Sequence, residues 1–440
     1  MQILIAGAGH GGLAAGAMLA KAGHSVTVVE QAAREQLGHD WEDRFTFSLL
    51  ADALGVAESD LPREIWRDRG DCTFVSPNGQ THVDIHFDAN SRQRVMWRKP
   101  LHRLLLEHAE ACGVRFLFET QVTAPLTEGL RVTGLRTRAG DMAADLVIDA
   151  AGAFSPVRTG LPEALGIEKS PRRGDLFYAR RVYFDRLPDA AAPEIPFEVY
   201  LCHAGEAGLS WFCTNPDSVD VLIGRIDPLT DAQFEAHLAQ FRASHPWMGT
   251  RIVHGGQSGV IPVRRPLTRM TADGYAAVGD SAFMTTPMNG MGIDLSLRAG
   301  KLLAETVLAH PGCTARDLWL YNRAFHRLYG GDTAKNAGLK SALLRLPAQD
   351  VDFLFAARVV ESSDLAGGGQ GVSVPALLGK LRRGMKKPSA FFAVVNGLMR
   401  GGRAAKLYKN APETFSPAAI AQWDRSIARF DLPIESDNTA

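Results

Sequence analysis

Short apolar runs alternate with longer helical stretches through the first third of the chain. "QILIA" is a strand-like run that passes into a glycine-dense turn. An Ala- and Leu-rich helical stretch follows, closed by Gly23, and then a second β-rich run, "SVTVV". From about Trp41 to Trp66 the pattern predicts amphipathic helix. "DCTFVSPNGQTHVDIHF" alternates on either side of Asn78-Gly79, which predicts a hairpin. "PLHRLLLEHAEACG" predicts a helix with Pro100 near its first turn and Gly113 at its end, feeding the strand "VRFLF". "DLVIDAAG" (145–152) reads as a further buried strand.

From roughly 176 to 262 the period changes to two, in "FYARRVYF", "FEVYLCH", "GLSWFCT" and "SVDVLIGRI". That alternation predicts strands of a largely antiparallel sheet. "YAAVGD" is a last strand, and from 300 onward the chain is mostly helical, its final helix opening with Ser416 at the N-cap and Pro417 behind it. The fold class expected is α/β. A Rossmann-type nucleotide-binding domain (1–70, 95–175 and 260–330) is interrupted by a mainly antiparallel substrate sheet (71–94 and 176–259), and a C-terminal helical region (331–440) completes the chain. "GGGQG" at 367–371 follows no strand and reads as a flexible loop.

Composition narrows the setting without changing this picture. Of 440 residues, 46% are apolar and 22% charged, as in an ordinary soluble protein. Lys plus Arg and Asp plus Glu are 48 each, which gives no reason to expect nucleic acid as a partner. Five scattered cysteines contain no C-x-x-C, so neither a structural metal site nor a disulfide framework is expected. No secretory leader and no membrane-length apolar run is visible, which makes the cytoplasm the expected address.

The chemistry starts at the first turn. Gly7-x-Gly9-x-x-Gly12 lies directly after a strand and opens a helix. Gly7 permits the tight turn, Gly9 lets backbone approach a pyrophosphate, and Gly12 allows helix and strand to pack closely. The helix N-terminus then offers free N–H groups to the anion. Glu30, at the end of the second strand, would accept from ribose hydroxyls and repel a 2′-phosphate, so FAD or NAD is favoured over NADP. Further on, "GDSAFMTTPMNGMGID" sets Asp280 after a strand, where it can accept from a polyol such as a ribityl chain. Gly290 and Gly292 before Ile293 leave backbone amides facing a planar ligand, and a helix N-terminus there suits the negative charge a flavin gains on reduction.

Three blocks, "GAGHGGLAAGAMLAKAGHSVTVVE", "DLVIDAAGAFSPVR" and "GYAAVGDSAFMTTPMNGMGID", resemble the FAD-dependent oxidoreductases of the para-hydroxybenzoate hydroxylase-type fold. Within that superfamily the third block looks most similar to the geranylgeranyl reductase family. The resemblance implies FAD contacts at Gly7, Gly9, Gly12, Glu30, Arg98, Val122, Asp280 and Gly292. Phe283 stands where aromatic hydroxylases carry a His. Ala151 replaces the Asp of the second block, which the resemblance links to direct NADPH contact, so the resemblance does not carry direct NADPH use over to this chain. The reductases' Tyr-x-Trp-x-Phe-Pro motif is matched at Trp211 alone, a candidate substrate contact.

Two weaker signals leave alternatives open. His39 and Asp40, with Trp41 and Asp43, form either an acid/base and stacking cluster that delivers a proton to substrate, or a helix cap and a core aromatic. From Leu365 to Pro412 the chain has nine Lys and Arg and no acid; its core, 376–409, is either a membrane-surface segment or a helical cap with a solvated basic face. The leading expectation is an FAD-dependent reductase of carbon–carbon double bonds in an apolar, isoprenoid-like substrate. Its electrons would come from an external donor: NAD(P)H, ferredoxin or quinol. The alternatives are an FAD monooxygenase of an aromatic or polyene substrate, and an FAD-containing binding or electron-transfer protein without turnover.

Overall fold

In a computed structural model of the chain, residues 1–87, 93–188, 193–365 and 374–431 are described. The "GGGQG" loop lies outside them.

One six-stranded sheet organises the cofactor half. Its order is Thr271–Ala272, Tyr275–Ala277, Leu146–Asp149, Gln2–Ala6, Ser25–Val29, Arg115–Leu117. Every pairing is parallel except the first, which joins Thr271–Ala272 to Tyr275–Ala277. The strands are nearly continuous runs of Val, Ile, Leu and Ala because helices cover the sheet, and Ile5, Val28, Val147 and Ala276 are fully buried. Register matters most here. Ala6 pairs with both Val29 and Asp149, and Asp149 pairs with Ala277. Four strands therefore end level, and the segments after them, at Gly7, Glu30, Ala150 and Val278, emerge along one edge.

The helix His10–Lys21 packs against the helix Ile293–Ala309 through small residues. A Cβ on Gly300 would lie 2.2 Å from the Gly11 carbonyl, and one on Gly11 would lie 2.7 Å from the Ser296 carbonyl. This contact brings the start of the late helix beside the first turn.

A seven-stranded sheet forms the second half: Met248–Pro262, Leu176–Arg186, Ser218–Arg225, Gly208–Thr214, Phe197–Leu201, Cys72–Val75, His82–Ile85. All neighbours are antiparallel apart from Phe197–Leu201 and Cys72–Val75. The Asn78-Gly79 hairpin is present, with Gly79 at φ 72°. The C-terminal helices pack by close backbone approach: a Cβ on Gly338 would lie 2.6 Å from the Gly401 Cα.

Three stretches differ from the sequence reading. In the region 41–66 the only α-helix is Phe47–Leu54, followed by two short 3-10 turns at Glu58–Asp60 and Arg63–Ile65. It is flanked by strands Glu42–Arg44 and Trp66–Arg69, both paired to Gln93–Trp97. Tertiary pairing overrides a local helical period there. A helix, Asp231–Ser244, interrupts the antiparallel region, capped at Thr230 by a reciprocal bond with Gln233. A three-stranded meander (Val122–Glu128, Arg131–Thr137, Gly140–Ala143) lies between the "VRFLF" and "DLVIDAAG" strands.

Candidate functional site

The first glycine turn is fixed by the strand end beside it. Gly7 has φ 84°, and a Cβ there would lie 2.8 Å from the Ala150 carbonyl. Gly9 meets the same carbonyl at 2.8 Å, and Gly12 would strike the Ala150 Cβ at 2.7 Å and Ile5 at 2.9 Å. Gly9 is thus required by packing against Ala150 within the chain, in addition to any ligand. Gly9 is also the N-cap of the helix and offers no side-chain cap, and no acid stands in the first turn. The helix therefore presents its first N–H groups unsatisfied, with the positive end of its dipole behind them.

Glu30 is buried and its carboxylate reaches back across the turn. Its oxygens accept from the Ala8 N–H and the Ala32 N–H, each at 2.8 Å. Each oxygen keeps a second lone pair for a ribose hydroxyl. An open cavity of about 500 Å³ adjoins it, lined by Gln31, Glu119, Thr120, Gln121 and Arg138. Val122 follows Gln121 at the start of its strand, its side chain turned into the core.

Asp280 sits in a short 3-10 turn, Gly279–Ala282, where burial raises its carboxyl and the Thr285 hydroxyl at 2.9 Å and Arg98 pull it back down. A Cβ on Gly292 would lie 2.7 Å from the Thr285 hydroxyl, so the second glycine segment closes directly over that bond. Gly290 has φ 67° and donates to the Thr286 carbonyl; Ile293 begins the helix in the core, with Gly292 as an uncapped N-cap. Asp294 accepts from the Thr46 N–H at 3.0 Å and the Thr46 hydroxyl at 2.5 Å, tying this helix start to the chain after the 42–44 strand.

Arg98 opens the helix Arg98–Ala111, donates its N–H to the Trp41 carbonyl at 2.8 Å and lies 3.4 Å from Asp43. Its charge acts on His10, His39, His102 and Asp280 together, which places it between the first turn and the 279–282 turn.

Sequence reading missed the clamp that joins the second and third blocks. Asp149 is fully buried and accepts from the Ser155 hydroxyl at 2.6 Å and the Tyr275 hydroxyl at 2.9 Å. Arg158, also fully buried, donates to the carbonyls of Ser281 (2.5 Å), Lys169 (3.1 Å) and Ala153. Its guanidinium stacks 4.6 Å from the centre of Phe283, whose other neighbour is Arg264 at 4.7 Å. The signal available in sequence was Ser155 at an N-cap followed by Arg158, which by itself marks only a helix start.

His39 and Trp41 stack in parallel, ring centres 4.0 Å apart, against Gly259 of the large sheet. Burial first and Arg98 second lower the His39 imidazole to about 4, so the ring is neutral at neutral pH. Asp40 caps no helix. Its carboxylate lies 3.2 Å from His254 Nδ1 and accepts from the Gly255 N–H, while its own N–H donates to Gln257 at 2.6 Å. Trp41 is buried, as the core reading expected. Trp97 and Tyr183, ring centres 5.2 Å apart, and His254 beside Trp97 at 4.5 Å extend an aromatic seam between the two halves. Trp211 lies on the same sheet, its indole N–H donating to Asp220 at 3.3 Å. Asp220 is fully buried in a bidentate pair with Arg181, at 2.8 and 2.6 Å.

A glycine cradle that no Cβ could enter, an uncapped helix N-terminus, an acid poised over the second strand and a second glycine loop closing on Asp280 fit the diphosphate, ribose and ring of one FAD. Together they define a flavin-type dinucleotide-binding protein. The family model described as FAD binding domain matches residues 1–320, and the chain belongs to that family. It is an FAD-dependent oxidoreductase. The digeranylgeranylglycerophospholipid reductase of Haloferax volcanii is 26% identical over 396 residues, covering 80% of this chain and 91% of that protein. The protein of the same name from Methanothrix thermoacetophila is 26% identical over 383 residues, covering 83% and 92%. Among solved structures, a geranylgeranyl bacteriochlorophyll reductase-like protein from Thermoplasma acidophilum superposes with a TM-score of 0.70 at 17% identity, covering 90% of this chain and 98% of that one. A probable FAD-dependent monooxygenase from Pseudomonas aeruginosa superposes at 0.58 and 21%, covering 81% and 99%.

Proposed function

We propose that the protein reduces carbon–carbon double bonds of an apolar, isoprenoid-like substrate. What carries the reading is the alignment, over four fifths of the chain, with archaeal enzymes named as reductases of a digeranylgeranyl lipid. Bound and reduced, FAD supplies a hydride from its N5 atom. The chain's own residues supply the rest. First-turn amides of the helix His10–Lys21 would hold the diphosphate, Glu30 the ribose, Asp280 the ribityl chain, and the amides before Ile293 the ring edge. Trp97 and Trp211, both half-buried, offer flat apolar surface against which an alkene can lie.

The roles of His39 and Asp40 follow from their charge states and partners. Neutral at neutral pH and with its ring N–H on the Ser258 backbone, His39 keeps its other ring nitrogen as an acceptor that can orient a water or a substrate hydroxyl, and the proton that completes the reduction comes from solvent. Asp40 is a positioning residue that holds the 38–44 segment to the large sheet. Electrons arrive from an external donor, consistent with Ala151, and a lipid-like substrate reaches the site from a bilayer, consistent with the basic 376–409 segment. No helix among the described residues is long and apolar enough to cross a membrane.

The monooxygenase reading shares the fold, so the test separates the two. Chemically reduced holoprotein is mixed with polyprenyl and aromatic compounds, with and without oxygen, and the products are weighed. A gain of two hydrogens in the absence of oxygen is expected. A product carrying one added oxygen atom, formed only in air, overturns the reading.

A further inference from the structure

The described residues leave fifteen large apolar side chains exposed, and six of them (Leu378, Leu381, Met385, Phe392, Leu398, Met399) fall between residues 378 and 399. They are not scattered around their helices. On Val374–Gly384 and the turn after it, Leu378, Leu381 and Met385 follow i, i+3, i+7 and form one stripe. On Pro388–Lys409, Phe392 and Met399 share a stripe that continues into Arg403 and Lys406. Phe392 is 53% and Leu378 59% exposed, values unusual for side chains whose burial is worth roughly 1.5–3 kcal/mol each.

The cations around these stripes divide into two sets. Lys380, Arg383, Lys387 and Lys409 are spent inside the chain, paired with Glu361 and Asp364, Glu361, Asp350 and Asp332 respectively. Arg382, Lys386, Arg403 and Lys406 are exposed and form no ion pair among the described residues. Arg382 and Lys386 flank the first stripe, and Arg403 and Lys406 extend the second. No acid lies between Leu365 and Pro412 to neutralise them. Apolar stripes bordered by unpaired cations, without an acid, complement a surface that is greasy inside and anionic at its rim.

We propose that these two stripes, Leu378, Leu381 and Met385 with Arg382 and Lys386, and Phe392 and Met399 with Arg403 and Lys406, dock the protein on the surface of an anionic lipid bilayer. The apolar side chains enter the headgroup boundary and the four cations meet lipid phosphates. Docking rests on the proposed reading only for what the bilayer delivers; the surface itself stands on exposure and charge.

The test is co-sedimentation of full-length holoprotein with phosphatidylcholine vesicles, with or without phosphatidylglycerol. Binding to the anionic vesicles alone, weakened by salt, is expected. Phe392→Ser with Met399→Ser should weaken it at least tenfold. Arg403→Gln with Lys406→Gln should weaken it roughly fivefold per cation removed. All four positions are exposed, so flavin content and melting temperature should stay as in the parent. Failure of any vesicle to bind, or binding indifferent to these variants, overturns the proposal. So does a change in oligomeric state on light scattering without vesicle binding, which would make the face a contact between proteins. Turnover of a short, detergent-soluble alkene by the same variants is expected to be unchanged; its absence in the parent as well would tell against the reductase reading and leave docking standing.

Discussion

The Gly152 amide donates to the Ser281 hydroxyl at 2.9 Å, across 129 residues of sequence. This bond, with Arg158 holding the Ser281 carbonyl, fixes the turn that carries Asp280 against the strand end that carries Ala150. Replacing the hydroxyl leaves the Gly152 N–H without its partner. Ser281→Ala should cost about 1–2 kcal/mol and loosen flavin binding, read as a lower melting temperature of holoprotein and a raised FAD dissociation constant. Unchanged FAD affinity would show that the clamp does not reach the site.

Gly9→Ala and Gly12→Ala test the cradle. Each new Cβ lands under 3 Å from Ala150, against backbone at Gly9 and against a methyl at Gly12. Overpacking of this kind costs about 1–3 kcal/mol, and protein purified from either variant should hold far less flavin than the parent. Gly402→Ala, where nothing lies within 4 Å, serves as the matched control.

Glu30→Ala removes the acceptor of two backbone N–H groups and, on the proposed reading, of the ribose hydroxyls at once. FAD affinity should fall at least tenfold, about 1.4 kcal/mol, with Glu30→Gln between the two. The added stabilisation that saturating FAD gives the parent in thermal unfolding should shrink accordingly.

Acid should unfold the protein through neutral histidines. His102 and His326 are buried, and burial lowers each to about 4, below the 6.5 of an unfolded chain. Between these values the unfolded state binds more protons than the folded one. Stability is then complete above about pH 6.5 and falls as pH drops toward 4, by up to about 1.4 kcal/mol per pH unit for each histidine. Urea unfolding across this window should show that slope. His326→Gln, which can still donate to the Thr268 carbonyl, should reduce it while lowering stability at pH 7.

Asp220→Leu removes the carboxylate shared by Arg181, Arg69 and the Trp211 N–H. A buried guanidinium left without its partner costs about 3–5 kcal/mol, so the variant should unfold at markedly lower urea. Flavin retention before unfolding should be normal, because the pair lies in the sheet and not in the cradle.

The cofactor half of this fold was legible because each of its signals is local. A strand, Gly7 to Gly12, a helix and Glu30 fall within thirty residues, and Asp280 to Ile293 form one continuous stretch. The clamp was not legible, since Asp149, Arg158 and Tyr275 acquire meaning only when sheet register sets their strands side by side. The 41–66 region misled for the same reason: Glu42–Arg44 becomes a strand only when 93–97 arrives to pair with it. Asp40 looked like a cap because Asp before an apolar run often is one, yet its partners lie more than two hundred residues away, on the large sheet.

Those partners also bear on how the molecule opens. The 38–44 segment is fastened on one side to Arg98 and on the other to His254, Gly255 and Gln257. Both halves grip one short ribbon of chain, which makes it a hasp. Any motion that parts the sheet from the cofactor half must first undo either the sheet-side contacts of Asp40 and Glu42 (with Tyr183 and Arg181) or the pairing to 93–97 with the Arg98 contacts, and whichever releases first decides which half keeps His39 and Trp41.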